Sequence, residues 1–263
     1  MFVRCDQAYP ETIHRGHEDC DGACLGLDTV DNALDDTEDN MMEGAMRDIA
    51  TCERGQMPDA EFRTIEPKIL YFGTPVALIS SLNEDGTTNL APMSSFWALG
   101  WTLMLGLLDE TKTAENMERH PECVVNLPTP SMWREVEILA PLTGKDPVPQ
   151  IKAKQFRFEK DKFAISGLTP LASEVVQPAR ARECPVHMEA RVNKLHRMDG
   201  EKLRQLGGGV AAEVEIVRVH VAPDLIVGDN YIDPAKWSPL IYNFRHYFRL
   251  GEHELGKTFR AEK

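Results

Sequence analysis

Two short apolar runs, residues 76–82 and 87–96, flank the tetrapeptide Asn83-Glu84-Asp85-Gly86. Asp-Gly between strand-like runs is a hairpin signal, because glycine supplies the positive φ of a tight turn. This feature constrains the fold most, since a hairpin commits the chain to antiparallel sheet. Pro92 in the return run has no N–H for a ladder, so that strand must lie at a sheet edge or carry a bulge. Residues 101–108 (WTLMLGLL) and 122–127 (ECVVNL) read as two further strands. Between them, 111–119 is expected to be helical and to end at His120-Pro121.

Two more strands follow. Residues 185–195 alternate Val186, Met188, Ala190 and Val192 with His187, Glu189 and Arg191. Residues 209–221 place Val210, Ala212, Val214 and Ile216 on one side, then shift phase to Val217, Val219 and Val221. Such a change of phase predicts a bulge or barrel bend. Gly207-Gly208-Gly209 is a loop, and no strand leads into it as a dinucleotide fingerprint requires. Prolines at 130, 141, 147, 149, 170 and 178 break residues 129–184 into turns with one or two short helices, one of them over 150–156. Six strands, one interposed helix and no strand–helix alternation predict a mainly β fold with short helices. The expected architecture is a six-stranded antiparallel barrel, closed or nearly so, and a doubly wound sheet is disfavoured.

Charge divides the chain. Of the net −13, residues 1–66 carry −12, with 17 acids against 5 bases. Residues 1–60 are therefore expected to form an acidic N-terminal extension, either a loose tail or a docked short helix over 40–54, and residues 61–263 the folded domain. The nearly neutral remainder offers no clustered basic face, which excludes nucleic acid as a partner. No apolar run reaches the roughly 18–20 residues of a membrane span, and no export signal opens the chain. A cytoplasmic protein with reduced thiols is expected. His14, His17, Cys20 and Cys24 place four zinc-competent side chains close together, but their spacing fits no common finger. Coincidence is the favoured reading, and no metal is expected.

Two segments carry chemistry. In residues 89–96 (NLAPMSSF), Pro92 interrupts the ladder and leaves main-chain groups near Ala91 and Met93 for a ligand, beside the Asn89 amide and the Ser94 and Ser95 hydroxyls. In residues 111–116 (TKTAEN), Thr113 is the expected N-cap, and the helix start with Lys112 and the threonine hydroxyls suits a phosphate. Residue types alone leave two readings open. One is a cradle for a planar heterocycle with a phosphate tail, the other a proline-broken strand beside an ordinary capped helix.

The order PVALISSLNEDGTTNLAPMSSF, a hydrophobic strand, then KTAENMERHPECVVNLP resembles the flavin reductase-like FMN-binding split-barrel family. That family carries Asn-x-Ala-Pro-x-Ser-x-Phe after a hairpin, a Thr-x-x-Asn helix, and a strand ending Val-Asn-Leu-Pro. Residues 219–224 (VHVAPD) and 247–251 (YFRLG) are similar to its closing strand and tail. The resemblance covers roughly residues 66–263. It implies that Asn89, Ala91, Pro92 and Met93 line an isoalloxazine ring, with Ser94, Ser95 and Phe96 at the ribityl chain or ring edge. Lys112, Thr113 and Asn116 would hold the phosphate. It also implies hydride transfer from NADH or NADPH to FMN, onward passage of electrons, a homodimer, and a partner monooxygenase as one outlet. No side chain is assigned as acid, base or nucleophile. A pyridoxamine-phosphate-oxidase-type enzyme and a non-enzymatic FMN carrier or store are the alternatives.

Other residues carry blander expectations. His187, His196 and His220 are expected to be structural, with a flavin-facing His220 as the second reading. Cys123, Trp97 and Trp101 are expected in the core, with a tryptophan that stacks on the flavin or shapes the substrate opening as the second reading. Tyr242, Phe244, Tyr247 and Phe248 are expected in core or interface, with a cover over the site as the alternative.

Overall fold

The computed structural model describes residues 62–251, 253–255 and 258. The acidic extension, its expected helix over 40–54 and the His14/His17/Cys20/Cys24 cluster lie outside the described residues. Residues 62–68 are exposed and outside helix and strand, and belong to a unit separate from the one that runs from Ile69 onward.

Strands β1 (Ala77–Leu82) and β2 (Thr88–Met93) form the expected hairpin. Gly86 has φ of +80°, the Asn83 N–H reaches the Thr87 carbonyl at 2.8 Å, and the Asp85 carboxylate accepts from the Thr87 N–H and hydroxyl. Next come β3 (Phe96–Leu99), β4 (Thr102–Leu108), helix α1 (Lys112–Arg119) and β5 (Glu122–Leu127). The long strands β6 (Val186–Met198) and β7 (Gly209–Val221) complete the sheet. Its order is β2-β1-β5-β6-β7-β4-β3, antiparallel throughout.

The antiparallel split-barrel architecture is thus present, with seven strands in place of six. The run 87–96 breaks at Ser94-Ser95 and restarts as β3. Pro92 lies in an end strand, as its missing N–H requires. The end strands β2 and β3 follow one another in the chain, yet no ladder joins them, so the barrel is open at this seam. Beside it the Gly106 N–H reaches the Ser95 carbonyl at 2.6 Å. A Cβ on Gly106 would sit 3.0 Å from Ser95 Cβ, so this close approach depends on glycine.

The change of phase in β7 has its expected cause. Glu189 pairs with Arg218 and Ala190 with Ile216, which leaves Val217 as the extra residue of a bulge. Both faces of β1 are buried, which explains why its residues lack the alternation of a half-exposed strand. Ile79 joins Leu105, Val125 and Val214 inside the barrel. Leu78 and Leu90 pack outside it with Val136, Leu139 and Phe163 from α2 (Trp133–Leu139) and α3 (Lys162–Ser166).

The proline-broken segment takes its order from the sheet. Asn126 of β5 donates to the Leu78 carbonyl and Ser80 hydroxyl, and accepts from the Ala181 N–H at 2.9 Å. Glu189 of β6 is fully buried, and its carboxylate accepts N–H groups from Glu174, Val175 and Val176 at 2.9, 2.7 and 3.1 Å. His220 of β7 adds a contact at 2.7 Å. Burial pushes the Glu189 pKa up, but these amides and His220 outweigh it and hold the group below the usual carboxylate range. Only the first turn of the helix expected over 150–156 forms, as a 3-10 turn at Gln150–Lys152. Beyond it the Gln155 and Phe156 N–H groups both reach the Lys152 carbonyl, which closes a turn instead of extending the helix.

Two aromatic expectations are overturned. Trp97 and Trp101 are 59% and 63% exposed, and Leu99 between them is 74% exposed. They lie on and beside β3, an end strand of the sheet. Cys123 is a core residue as expected, its thiol pushed up to about 12 chiefly by burial. The histidines have structural partners: His187 the Ala181 carbonyl, His196 Glu213, and His220 Glu189.

Candidate functional site

A cleft opens where β2, the end of β4, the start of α1 and residues 140–162 meet. Its cavity volume is about 80 Å³, and its mouth is open to solvent. Five of the ten site residues expected from sequence line it: Ala91, Pro92, Met93, Lys112 and Thr113. Ala91–Met93 reach it because their strand ends the sheet.

The helix over Lys112–Arg119 falls within the expected 111–119, but its cap differs. Its N-cap is Thr111, not Thr113: the Thr111 hydroxyl accepts from the Ala114 N–H at 3.2 Å and donates to the Leu108 carbonyl at 2.8 Å. Thr111 leaves β4 with extended backbone, which the N-cap position requires. Thr113 therefore falls inside the first turn, buried, with its hydroxyl 3.3 Å from the Asn89 amide nitrogen.

The other five expected residues stand behind the cleft or beside it. Asn89 is buried and bridges Ser81 and Thr113 through its amide nitrogen. Asn116, also buried, donates to the Ser81 hydroxyl at 3.1 Å and to Asn83 Oδ1 at 2.9 Å, tying α1 to the hairpin. Arg119 adds a hydrogen bond to the Leu82 carbonyl. Ser94 is buried and its hydroxyl has no protein partner. Ser95 pairs with the Tyr71 hydroxyl at 2.6 Å, and Phe96 packs on the barrel core.

The cleft is lined by three lysines. Lys112 bonds Glu84 and Glu115, each at 2.6 Å, and Lys145 also bonds Glu115 at 2.6 Å. Burial works against the Lys112 charge, but Glu115 and Glu84 outweigh it and raise its pKa overall. Lys152 and Lys162 were not expected. They are 4% and 2% exposed, and among the described residues neither has a carboxylate within ion-pair distance. Lys162 Nζ donates to Asn89 Oδ1 at 2.9 Å, and Lys152 Nζ to the Glu110 carbonyl at 2.6 Å. Burial, reinforced by Lys152, pushes Lys162 down to about 7. Burial also takes Lys152 to about 8, with Glu110 opposing it and Lys145 adding to it.

A local signal for Lys162 existed in the sequence. Asp161 caps α3 by accepting the Ala164 N–H, and Gly167 ends it with φ of +74°. Asp and Gly six residues apart around an apolar run mark a short helix with Lys162 at its first position. Gly144 completes the wall. A Cβ there would lie 2.7 Å from Asn89 Oδ1 and 3.0 Å from Lys112 Cγ.

His220 does not line this cleft. It lies with His187, Arg180 and Arg182 around a separate pocket. Among the described residues no three metal-binding side chains converge, and no helix is long and apolar enough to cross a membrane.

Comparison with known proteins adds family information. The family model described as "Flavin reductase like domain" matches residues 69–251. The uncharacterized protein YdfE of Bacillus subtilis (strain 168) is 46% identical over 202 residues, covering 76% of this chain and 95% of YdfE. Among solved structures, flavoredoxin of Desulfovibrio vulgaris (Miyazaki F) superposes with a TM-score of 0.61 at 20% identity, over 77% of this chain and all of the flavoredoxin. Nitrilotriacetate monooxygenase component B from Bacillus cereus gives 0.59 at 20% identity, over 74% and 98% of the two chains.

Proposed function

Because the chain belongs to the flavin reductase-like family of split barrels, we propose that it binds FMN in this cleft and acts as an NAD(P)H-dependent reductase. The supporting observation is the meeting of an unpaired strand edge at Ala91–Met93 with a helix start and two buried ammonium groups. These residues fit a phosphate-bearing flavin. Gly144 leaves room where a side chain would collide, and Lys112, Lys152 and Lys162 line the cleft.

When bound, the flavin supplies the redox chemistry, accepting hydride from a nicotinamide and delivering electrons to an acceptor. The protein's part is binding, orientation and charge. The main chain of Ala91, Pro92 and Met93 would hold the ring, and Ser94, beside the cleft, would be the donor next along the chain. Asn89 positions Lys162 and Thr113, while Asn116, Ser95 and Phe96 fix the elements that carry these groups. Lys112 stands at the mouth, its charge balanced by Glu84 and Glu115. The exposed Trp97, Leu99 and Trp101 provide the contact surface of a homodimer. A partner monooxygenase fits as the electron acceptor.

The test is spectroscopic. Purified protein is loaded with FMN and mixed anaerobically with NADH or NADPH. Bleaching of the flavin absorbance is expected. Protein that takes up no FMN overturns the proposal, and FMN that stays oxidised leaves a carrier in its place.

A further inference from the structure

We infer that Lys152 and Lys162 make the cleft selective for a flavin that carries a phosphate, discriminating against riboflavin; this rests on the flavin reading above. An ammonium has three N–H donors. In the structure Lys162 spends one on Asn89 Oδ1 and Lys152 spends one on the Glu110 carbonyl. Among the described residues two donors on each nitrogen have no protein acceptor, although both side chains are almost wholly buried and line the cleft. Buried charge is costly unless paired. Lys112 shows the contrast: it lines the same cleft but is neutralised by two carboxylates.

A phosphate dianion satisfies this arrangement. Its oxygens accept the unspent donors, and its charge balances two ammonium groups that have no carboxylate at ion-pair distance among the described residues. Charge-assisted hydrogen bonds of this kind are the strong ones. A nicotinamide, a ribityl hydroxyl or the isoalloxazine edge offers no such charge. Burial has already lowered both lysines towards neutrality, and an anion would restore them.

The experiment titrates the flavin-free full-length protein with FMN and with riboflavin, following quenching of flavin fluorescence. FMN is expected to bind on the order of 100-fold more tightly, given two charge-assisted contacts. Lys162→Met and Lys152→Met should each weaken FMN at least about tenfold and leave riboflavin within about twofold. Millimolar inorganic phosphate should compete with FMN and not with riboflavin, which tests the idea without a mutation. Equal affinity for FMN and riboflavin, or a double variant that keeps the full preference, overturns this inference and leaves flavin binding standing. Protein that binds neither flavin overturns the flavin reading itself, and this inference with it. Methionine for lysine removes a buried charge at similar volume, so loss of the fold is not the expected result.

Discussion

The ammonium of Lys162 donates to the amide oxygen of Asn89 at 2.9 Å across 73 residues of chain. One partner begins a short helix in the proline-broken segment, and the other lies on the end strand of the sheet. Through Thr113, Asn89 also reaches the first turn of α1. Three elements of the cleft thus share one buried amide.

The pH dependence of stability follows from the two buried lysines. An unfolded lysine titrates near 10.5, whereas Lys162 and Lys152 titrate at about 7 and about 8 in the fold. Between those values the unfolded chain holds more protons, so the flavin-free protein gains stability as pH rises from about 7 to 10.5. Below about 7 both lysines are charged and the destabilisation is complete. Urea unfolding at pH 7 and pH 9.5 should show a higher midpoint at pH 9.5. Lys162→Met should reduce the difference.

Gly144→Ala tests the wall of the cleft. Its Cβ would meet Asn89 Oδ1 at 2.7 Å and Lys112 Cγ at 3.0 Å, so one or both must move. Overpacking of this kind costs about 1–3 kcal/mol. Because the displaced groups belong to the proposed flavin site, FMN affinity should fall roughly tenfold or more. A fluorescence titration showing wild-type affinity would remove Gly144 from the site.

Asn116→Ala separates support from contact. It leaves the Ser81 hydroxyl and Asn83 Oδ1 without their buried donor. Losing such bonds costs about 1–3 kcal/mol. The thermal midpoint should drop by roughly 3–10 °C, measured by circular dichroism. FMN affinity at 15 °C should change less than in Lys162→Met.

Trp97→Asp combined with Trp101→Asp addresses the exposed face of β3. Charges at the centre of an apolar contact oppose association. The wild type should elute as a dimer and the double variant as a monomer in light-scattering chromatography, with FMN binding per chain altered by less than about threefold. A monomeric wild type would remove the dimer from the proposal.

Much of the sheet was legible because strand periodicity survives in sequence. The β1–β2 hairpin carries its glycine turn, β5 matches its expected bounds, and the phase change after Ile216 locates the Val217 bulge. Lys152 and Lys162 were less legible, since a lysine's burial depends on what folds over it. Here the cover comes from residues 129–184, where six prolines erase periodicity. The exposure of Trp97 and Trp101 was hidden for a related reason. An apolar residue declares a buried face, but not whether that face belongs to its own chain. Thr111 and Thr113 are both competent caps, and only the backbone leaving β4 decides between them.

The Glu189 carboxylate makes one buried charge a fastener between sheet and loop. Glu174, Val175 and Val176 reach its oxygens where β6 lies between β5 and β7 with His220 opposite. Because those partners hold the carboxyl below the usual carboxylate range, the fastener stays closed in acid that already neutralises ordinary carboxylates.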